Sequence, residues 1–243
     1  MAWHSKELDK VFEQLDTSRK GLSKEEAGKR RDKYGYNSIE SSDSISPAKI
    51  FISQFQDALV YMLIAAALIS IGVGFMPGES ARLTEASLIV FILVLNGIFG
   101  FIQDYRAEKS IQALKKMSTP EVKVLRDGEK LEIEASKIVP GDIIFLEPGS
   151  SVPADARLVE ADGLDADESS LTGESAEVDK KPGTVEEDVP VAERTNMVFK
   201  NTNVINGSGK AVVVETGMDT EVGGIAEQLN QARKRLTPFQ KEV

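Results

Sequence analysis

Two long uncharged apolar runs constrain this chain more than any other feature of its sequence. Residues 58–78 and 86–103 contain no charged side chain, and Gly97 and Gly100 in the second run allow tight contact with a neighbouring helix. Each run is close to the roughly 20 residues that a helix rising about 1.5 Å per residue needs to cross a hydrocarbon core about 30 Å thick. The alternative, two buried core helices, would form an apolar hairpin longer than small cores usually accommodate. We therefore predict a membrane-spanning helical hairpin.

The basic residues beside these runs predict the orientation of the hairpin. The short connection carries Arg82, whereas the flanks carry Lys49, Arg106, Lys109, Lys115 and Lys116. Because Lys and Arg accumulate on the cytoplasmic side of membrane helices, both ends of the hairpin should face the cytoplasm. We expect an integral, multi-pass membrane protein whose N-terminus and following soluble domain are cytoplasmic.

Composition excludes several other functions. The formal net charge is −10, which argues against a nucleic-acid partner, because phosphate binding needs clustered Lys and Arg. The chain has no cysteine, so disulfides, thiolate metal sites and thiol nucleophiles are excluded. His4 is the only histidine, which leaves no Ser-His-Asp triad and no zinc site built on several histidines.

Helices are predicted on both sides of the apolar runs. Ser23 can cap a helix, with Glu26 reaching back as in a capping box, and Gly35 is a natural stop. After the second run, helix-forming residues continue to Thr119-Pro120. The second membrane helix is therefore expected to extend into the cytosol as a stalk.

From Glu121 onward the pattern changes to alternating, β-branched residues. The sequences EVKVLR and KLEIE flank Asp127-Gly128, a strong hairpin signal. We predict a second hairpin around Asn206-Gly207 and a final helix over residues 219–236. Repeated Gly and Pro between the hairpins are typical of a compact, turn-rich β domain.

The sequence DESSLTGES, residues 167–175, carries a resemblance to a known family. It contains the TGES signature of P-type ATPase actuator domains, and residues 138–160 and 197–229 resemble the same family. Residues 22–39 are similar to a cation-ATPase N-terminal segment. The resemblance implies the N-terminal fragment of a type II, calcium-pump-like ATPase: a mixed fold with an α-helical transmembrane hairpin and a mainly β, distorted jelly-roll-like actuator domain with flanking helices.

The resemblance also implies catalytic residues. Hydrolysis of an acyl phosphate needs a water in line with phosphorus and a base beside it, which a carboxylate on a tight loop can supply. In the family, the TGES glutamate orients this water, which assigns the role to Glu174, with Thr172, Gly173 and Ser175 shaping the loop. The alternative is a surface turn with a solvated acid.

The family comparison predicts four segments. They are an N-terminal cytosolic helical segment (1–48), the hairpin and stalk (49–117), the β actuator domain (118–218), and a C-terminal helix leading towards an absent third span (219–243). The chain contains no DKTGT motif and no GxxxxGK[ST] loop. We therefore expect no cofactor or metal on this chain and no activity by itself, with ATP and Mg²⁺ used by the complete pump.

The expected partners are the lipid bilayer, the phosphorylation, nucleotide and transport domains of the pump, and the transported cation. Calcium is the first choice, although many calcium pumps have an acidic residue where this chain has Gln56. Two other functions stay open at this stage. One is a naturally short membrane-anchored binding or regulatory protein, and the other is a soluble β-domain protein.

Other acidic residues are expected to be structural. Asp142 and Asp155 follow Pro-Gly and Pro-Ala, where aspartate commonly stabilises a turn. The cluster Glu186, Glu187 and Asp188 lacks the alternating spacing of a calcium loop and is predicted to be a solvated face.

Overall fold

The structure, a computed structural model, describes residues 2–39, 46–75, 81–117, 120–173 and 177–235. The chain divides into two compact units. One comprises residues 1–40 together with 119–243, and the other comprises residues 41–118. We refer to them as the β unit and the helical unit.

The described residues form seven α-helices and seven strands. The helices are α1 (Leu8–Gln14), α2 (Lys24–Tyr34), α3 (Pro47–Ser53), α4 (Ala58–Gly74), α5 (Ala81–Met117), α6 (Ser169–Thr172) and α7 (Glu221–Arg235). The strands are β1 (Glu121–Arg126), β2 (Glu129–Glu134), β3 (Ile143–Leu146), β4 (Asp155–Asp167), β5 (Glu177–Lys180), β6 (Met197–Val198) and β7 (Asn203–Glu215).

In the helical unit, α4 and α5 contain most of the described residues of the two apolar runs. Within the described residues, α5 has one stretch, Thr84–Ile111, that is long and apolar enough to cross a membrane, with a mean hydropathy of 2.2. Helices α3 and α4 meet at a bend of 69° and pass the same test as a pair. Only 17% of the apolar window of α5 is buried, which is unlike the core helix of a soluble protein. The predicted continuation of the helix beyond the second apolar run is confirmed, since α5 runs to Met117.

Two glycines of α5 lie against the turn between α3 and α4. A Cβ added to Gly97 would lie 2.8 Å from Cζ of Phe55, and one added to Gly100 would lie 2.1 Å from Oε1 of Gln54. The Gln54 amide also donates to Asp104 Oδ2 at 2.7 Å. Both glycines of α5 thus allow a close approach, and the side chains that use it belong to the turn between α3 and α4.

The predicted caps of α2 are confirmed, with one difference. Ser23 Oγ accepts a hydrogen bond from the Glu26 backbone N–H at 3.1 Å, and Gly35 ends the helix with a φ of +78°. The Glu26 carboxylate, however, accepts from Arg30 Nε at 3.0 Å instead of reaching back to Ser23. An i,i+4 ion pair has replaced the second half of the capping box.

The described strands of the β unit form one antiparallel sheet in the order β2-β1-β3-β7-β4-β5, with β6 pairing to β4. Consecutive side chains point to opposite faces, so Leu158 and Val213 pack in one core cluster, whereas Val159 and Val212 pack in the other. The second cluster also contains Val11 and other residues of the N-terminal segment. This segment therefore covers one face of the sheet.

One predicted hairpin is confirmed and the other is wrong. Asp127 and Gly128, with φ values of +52° and +76°, form the two-residue turn between β1 and β2. Asn206-Gly207 instead lies inside the continuous strand β7. A Cβ on Gly207 would be 2.0 Å from the carbonyl oxygen of Gly163 on β4, where the β4–β7 pairing is irregular. The glycine therefore permits a close approach of two long strands at a bulge.

Candidate functional site

The TGES sequence belongs to the loop between β4 and β5. The two strands are antiparallel, and Asp167 at the end of β4 pairs with Glu177 at the start of β5. Residues 168–176 are therefore the connection of a β-hairpin. Of the predicted loop residues, Thr172 and Gly173 lie in the described part, whereas Glu174 and Ser175 lie outside it.

The described part of this loop contains a single helical turn, α6, which hydrogen bonds hold against the neighbouring residues. Asp167 Oδ1 accepts from the Ser169 backbone N–H at 2.9 Å, and the hydrogen bonds from Ser169 lower the pKa of Asp167. The Ser170 hydroxyl donates to the Asn201 carbonyl at 2.9 Å, and the Thr172 hydroxyl donates to the Glu168 carbonyl at 3.1 Å. The chain thus enters the TGES sequence from a fixed turn.

Gly173 ends that turn in the left-handed conformation, with a φ of +79° and a ψ of −1°. No atom of the described residues lies within 4 Å of the place where a Cβ would stand. The glycine is therefore required here by the backbone conformation and not by crowding.

A buried ion pair lies at the base of the same loop, and sequence analysis missed it. Glu168 Oε1 and Lys180 Nζ are 2.5 Å apart, and the two side chains are 1% and 0% exposed. Burial raises the pKa of Glu168 and lowers the pKa of Lys180, and the attraction between the two charges opposes both changes. The sequence carries only a weak signal for this pair, because Lys180 occupies an inward-facing position on β5 that is usually apolar.

Asp142 is structural, as predicted. Its side chain is fully buried, and its two carboxylate oxygens accept from Arg126 Nε at 2.8 Å and Nη2 at 2.6 Å. It also accepts from the Val139 backbone N–H at 3.0 Å, which closes the turn before β3. No substrate-facing role follows from these contacts.

Asp155 is also structural, and it joins distant parts of the chain. Its oxygens accept from the backbone N–H groups of Lys200 and Glu221, each at 2.8 Å, so it caps the first turn of α7. Burial raises the pKa of this carboxyl to about 6, although both N–H donors act in the opposite direction. The Lys200 side chain in turn donates to Asn37 Oδ1 at 2.7 Å, which holds the end of the N-terminal segment.

The acidic cluster at Glu186, Glu187 and Asp188 is exposed, as predicted for a solvated face. Across the described ranges, no three acidic or histidine side chains come close enough together to hold a metal ion. The candidate site is the β4–β5 loop, for which the sequence predicts Glu174 as the catalytic carboxylate.

Comparison with known proteins places this loop within a recognised family domain. Residues 116–230 match the family model of the P-type ATPase actuator domain, and residues 3–70 match that of the cation transporter/ATPase N-terminus. The chain is 42% identical over 245 residues to a calcium-transporting ATPase of Bacillus subtilis, covering 100% of this chain and 27% of that protein.

Two further relatives give the same result. Calcium-transporting ATPase 1 of Bacillus cereus is 41% identical, covering 99% of this chain and 27% of that protein. Calcium-transporting ATPase 1 of Saccharomyces cerevisiae is 38% identical, covering 96% of this chain and 25% of that protein. The chain thus spans about a quarter of the length of these curated relatives. Together with the actuator match around the TGES loop, these similarities show that the chain belongs to the P-type ATPase family of cation transporters.

Proposed function

We propose that this chain forms the actuator domain and the first membrane hairpin of an ATP-driven cation pump, in which Glu174 promotes hydrolysis of an aspartyl-phosphate intermediate. The observation that carries the proposal is the place of the TGES sequence. It lies in the β4–β5 connection, inside the segment that matches the actuator family model.

The chemistry follows from what a carboxylate on such a loop can do. Glu174 orients a water molecule in line with phosphorus and accepts its proton as the water oxygen bonds to phosphorus. The bond between phosphorus and the aspartate oxygen breaks, and phosphate and the free aspartate carboxylate result. Thr172, Gly173 and Ser175 shape the loop. The phosphorylated aspartate and the site for ATP and Mg²⁺ belong to other domains of the complete pump.

The actuator also has to transmit this step to the membrane. We assign residues 1–48 and 118–218 to the cytosolic actuator region, 49–117 to the hairpin and stalk, and 219–243 to a helix leading towards a third span. The basic flanks of the hairpin support a cytoplasmic actuator. The relatives named as calcium-transporting ATPases make calcium the first candidate for the transported ion, and Gln56 marks the position where many calcium pumps are acidic.

The test is a substitution of Glu174 in the complete pump. With Glu174→Gln, the phosphoenzyme should form at the normal rate and then decay about 10²–10⁴ times more slowly, which is the usual contribution of a general base. Glu177→Gln, at an exposed position three residues along, is the matched control and should decay normally. Decay of the Glu174→Gln phosphoenzyme at the control rate would refute the assignment.

A further inference from the structure

The Glu168–Lys180 ion pair joins the two strands of the hairpin that carries the TGES sequence. Glu168 is the first residue after β4, and Lys180 is the last residue of β5, where it pairs with Leu164. Their charged ends are 2.5 Å apart, and the Lys180 ammonium lies 5.5 Å from the centre of the buried Phe199 ring. The pair therefore fixes the two flanks of the loop to one point in the core.

This arrangement is not explained by stability alone. In the described part of the chain, neither charged end has a hydrogen-bond partner in addition to the ion pair. Removing two charges from water is costly, so a buried ion pair often stabilises a fold no better than a well-packed apolar pair of similar volume. What such a pair does provide in favourable cases is a unique register.

Register matters at this position because β5 is short. Four residues pair β5 to β4, and a slip by one residue would turn its side chains to the opposite face. Such a slip would turn Lys180 away from Glu168 and leave the Glu168 carboxylate buried without its partner. The ion pair thus penalises the slipped arrangements far more strongly than an apolar pair could.

We infer that the Glu168–Lys180 pair is a positioning element for dephosphorylation, which holds β5 in register and thereby sets where the TGES loop places its carboxylate. This inference rests on the proposed function of Glu174. Neither Glu168 nor Lys180 contacts the reacting atoms in this account, since both are enclosed in the core.

The key variant replaces both charges by apolar residues, Glu168→Leu with Lys180→Met, in the complete pump. Its unfolding midpoint should match that of the wild type, whereas the single Lys180→Met variant, with Glu168 stranded, should unfold earlier. The double variant should form phosphoenzyme normally and yet lose it on the order of 10²-fold more slowly, the effect of a misplaced catalytic group. Normal decay in the stable double variant would overturn the inference.

A conservative variant covers the case in which the double variant does not fold. Glu168→Asp keeps both charges and shortens one side chain by a methylene group. The ion pair can then form only if the backbone at the base of the loop shifts towards Lys180. We expect slower phosphoenzyme decay with an unchanged rate of phosphoenzyme formation. Equal slowing of both steps, or of neither, would assign the pair a merely structural role.

Two controls separate this inference from the proposed function. Lys210→Met removes the exposed Lys210–Glu160 pair, whose atoms are 2.8 Å apart on the same sheet, and should leave phosphoenzyme decay unchanged. Glu174→Gln is measured in parallel. If Glu174→Gln decays slowly while the charge-free pair decays normally, only the inference fails. If Glu174→Gln decays normally, the proposed function fails.

Discussion

Replacing Asp155 by asparagine should change how the stability of the β unit depends on pH. The Asp155 side chain is 1% exposed, and its pKa rises from the ordinary value of 3.8 to about 6, chiefly because burial opposes its charge. Between the unfolded pKa of 3.8 and the folded pKa of about 6, Asp155 therefore holds a proton in the folded protein that it has released in the unfolded chain. Acidification from about pH 7.5 to about pH 5 should stabilise the wild type relative to Asp155→Asn.

The size of the effect follows from the two pKa values. The contribution is RT ln[(1 + 10^(pKa folded − pH))/(1 + 10^(pKa unfolded − pH))], which is close to zero at about pH 7.5 and about 1.4 kcal/mol at about pH 5. Taking the difference between the wild type and Asp155→Asn removes the contributions of the other carboxylates, as long as they titrate alike in both proteins. The unfolding free energy of the wild type, minus that of Asp155→Asn, should therefore increase by about 1.4 kcal/mol as the pH falls from about 7.5 to about 5.

The chain provides its own probe for this measurement. Trp3 is the only tryptophan, it is 8% exposed, and its indole N–H donates to Glu215 Oε1 at 2.9 Å within the β unit. Its fluorescence during urea unfolding in detergent micelles therefore reports on the β unit. Asp162→Asn, at an exposed position on the same strand, controls for the change from carboxylate to amide.

A pH-independent difference between wild type and Asp155→Asn would refute the reasoning. A difference of the opposite sign would show that the N–H groups of Lys200 and Glu221 outweigh burial and hold the carboxyl in its charged form. Either result would remove Asp155 as a source of the predicted pH dependence.

Two further predictions concern backbone packing and topology. Gly207→Ala should destabilise the β unit by more than the roughly 1–2 kcal/mol of a left-handed alanine, because its Cβ would also meet the facing strand at 2.0 Å. Gly128→Ala, with a φ of +76° and open space around its Cβ, is the matched control in the Trp3 fluorescence assay. For topology, a membrane-impermeant thiol reagent applied to sealed cells should label Ser80→Cys and spare Ser175→Cys, since the chain has no native cysteine.

Each of these predictions has a clear contrary result. Equal destabilisation by the two alanine substitutions would mean that the close approach of β7 to β4 carries no cost. Labelling of Ser175→Cys in sealed cells would place the TGES loop outside, where it could not meet a cytosolic phosphorylation domain.

Features decided by residues close together in sequence were predicted well. The uncharged runs gave the two helices of the hairpin, Ser23 and Gly35 marked the ends of α2, and Asp127-Gly128 gave the β1–β2 turn. The TGES motif identified the family. The caps and the β1–β2 turn are decided within about one helical turn or one tight turn, and the apolar helices by a continuous run of residues, so the sequence alone contains the determining physics.

Features decided by strand register could not be predicted in this way. Asn206-Gly207 has the sequence of a hairpin turn, but pairing along the whole length of β4 and β7 outweighs that local preference and keeps the strand continuous. Asp155 meets Glu221 across 66 positions of sequence, and Glu168 meets Lys180 only because β5 pairs with β4. The sequence by itself determined the two apolar helices, the local caps and the position of the TGES motif. The tertiary structure decided which buried charges meet at the base of that loop, because a buried charge acquires its partner only when the sheet brings distant segments together.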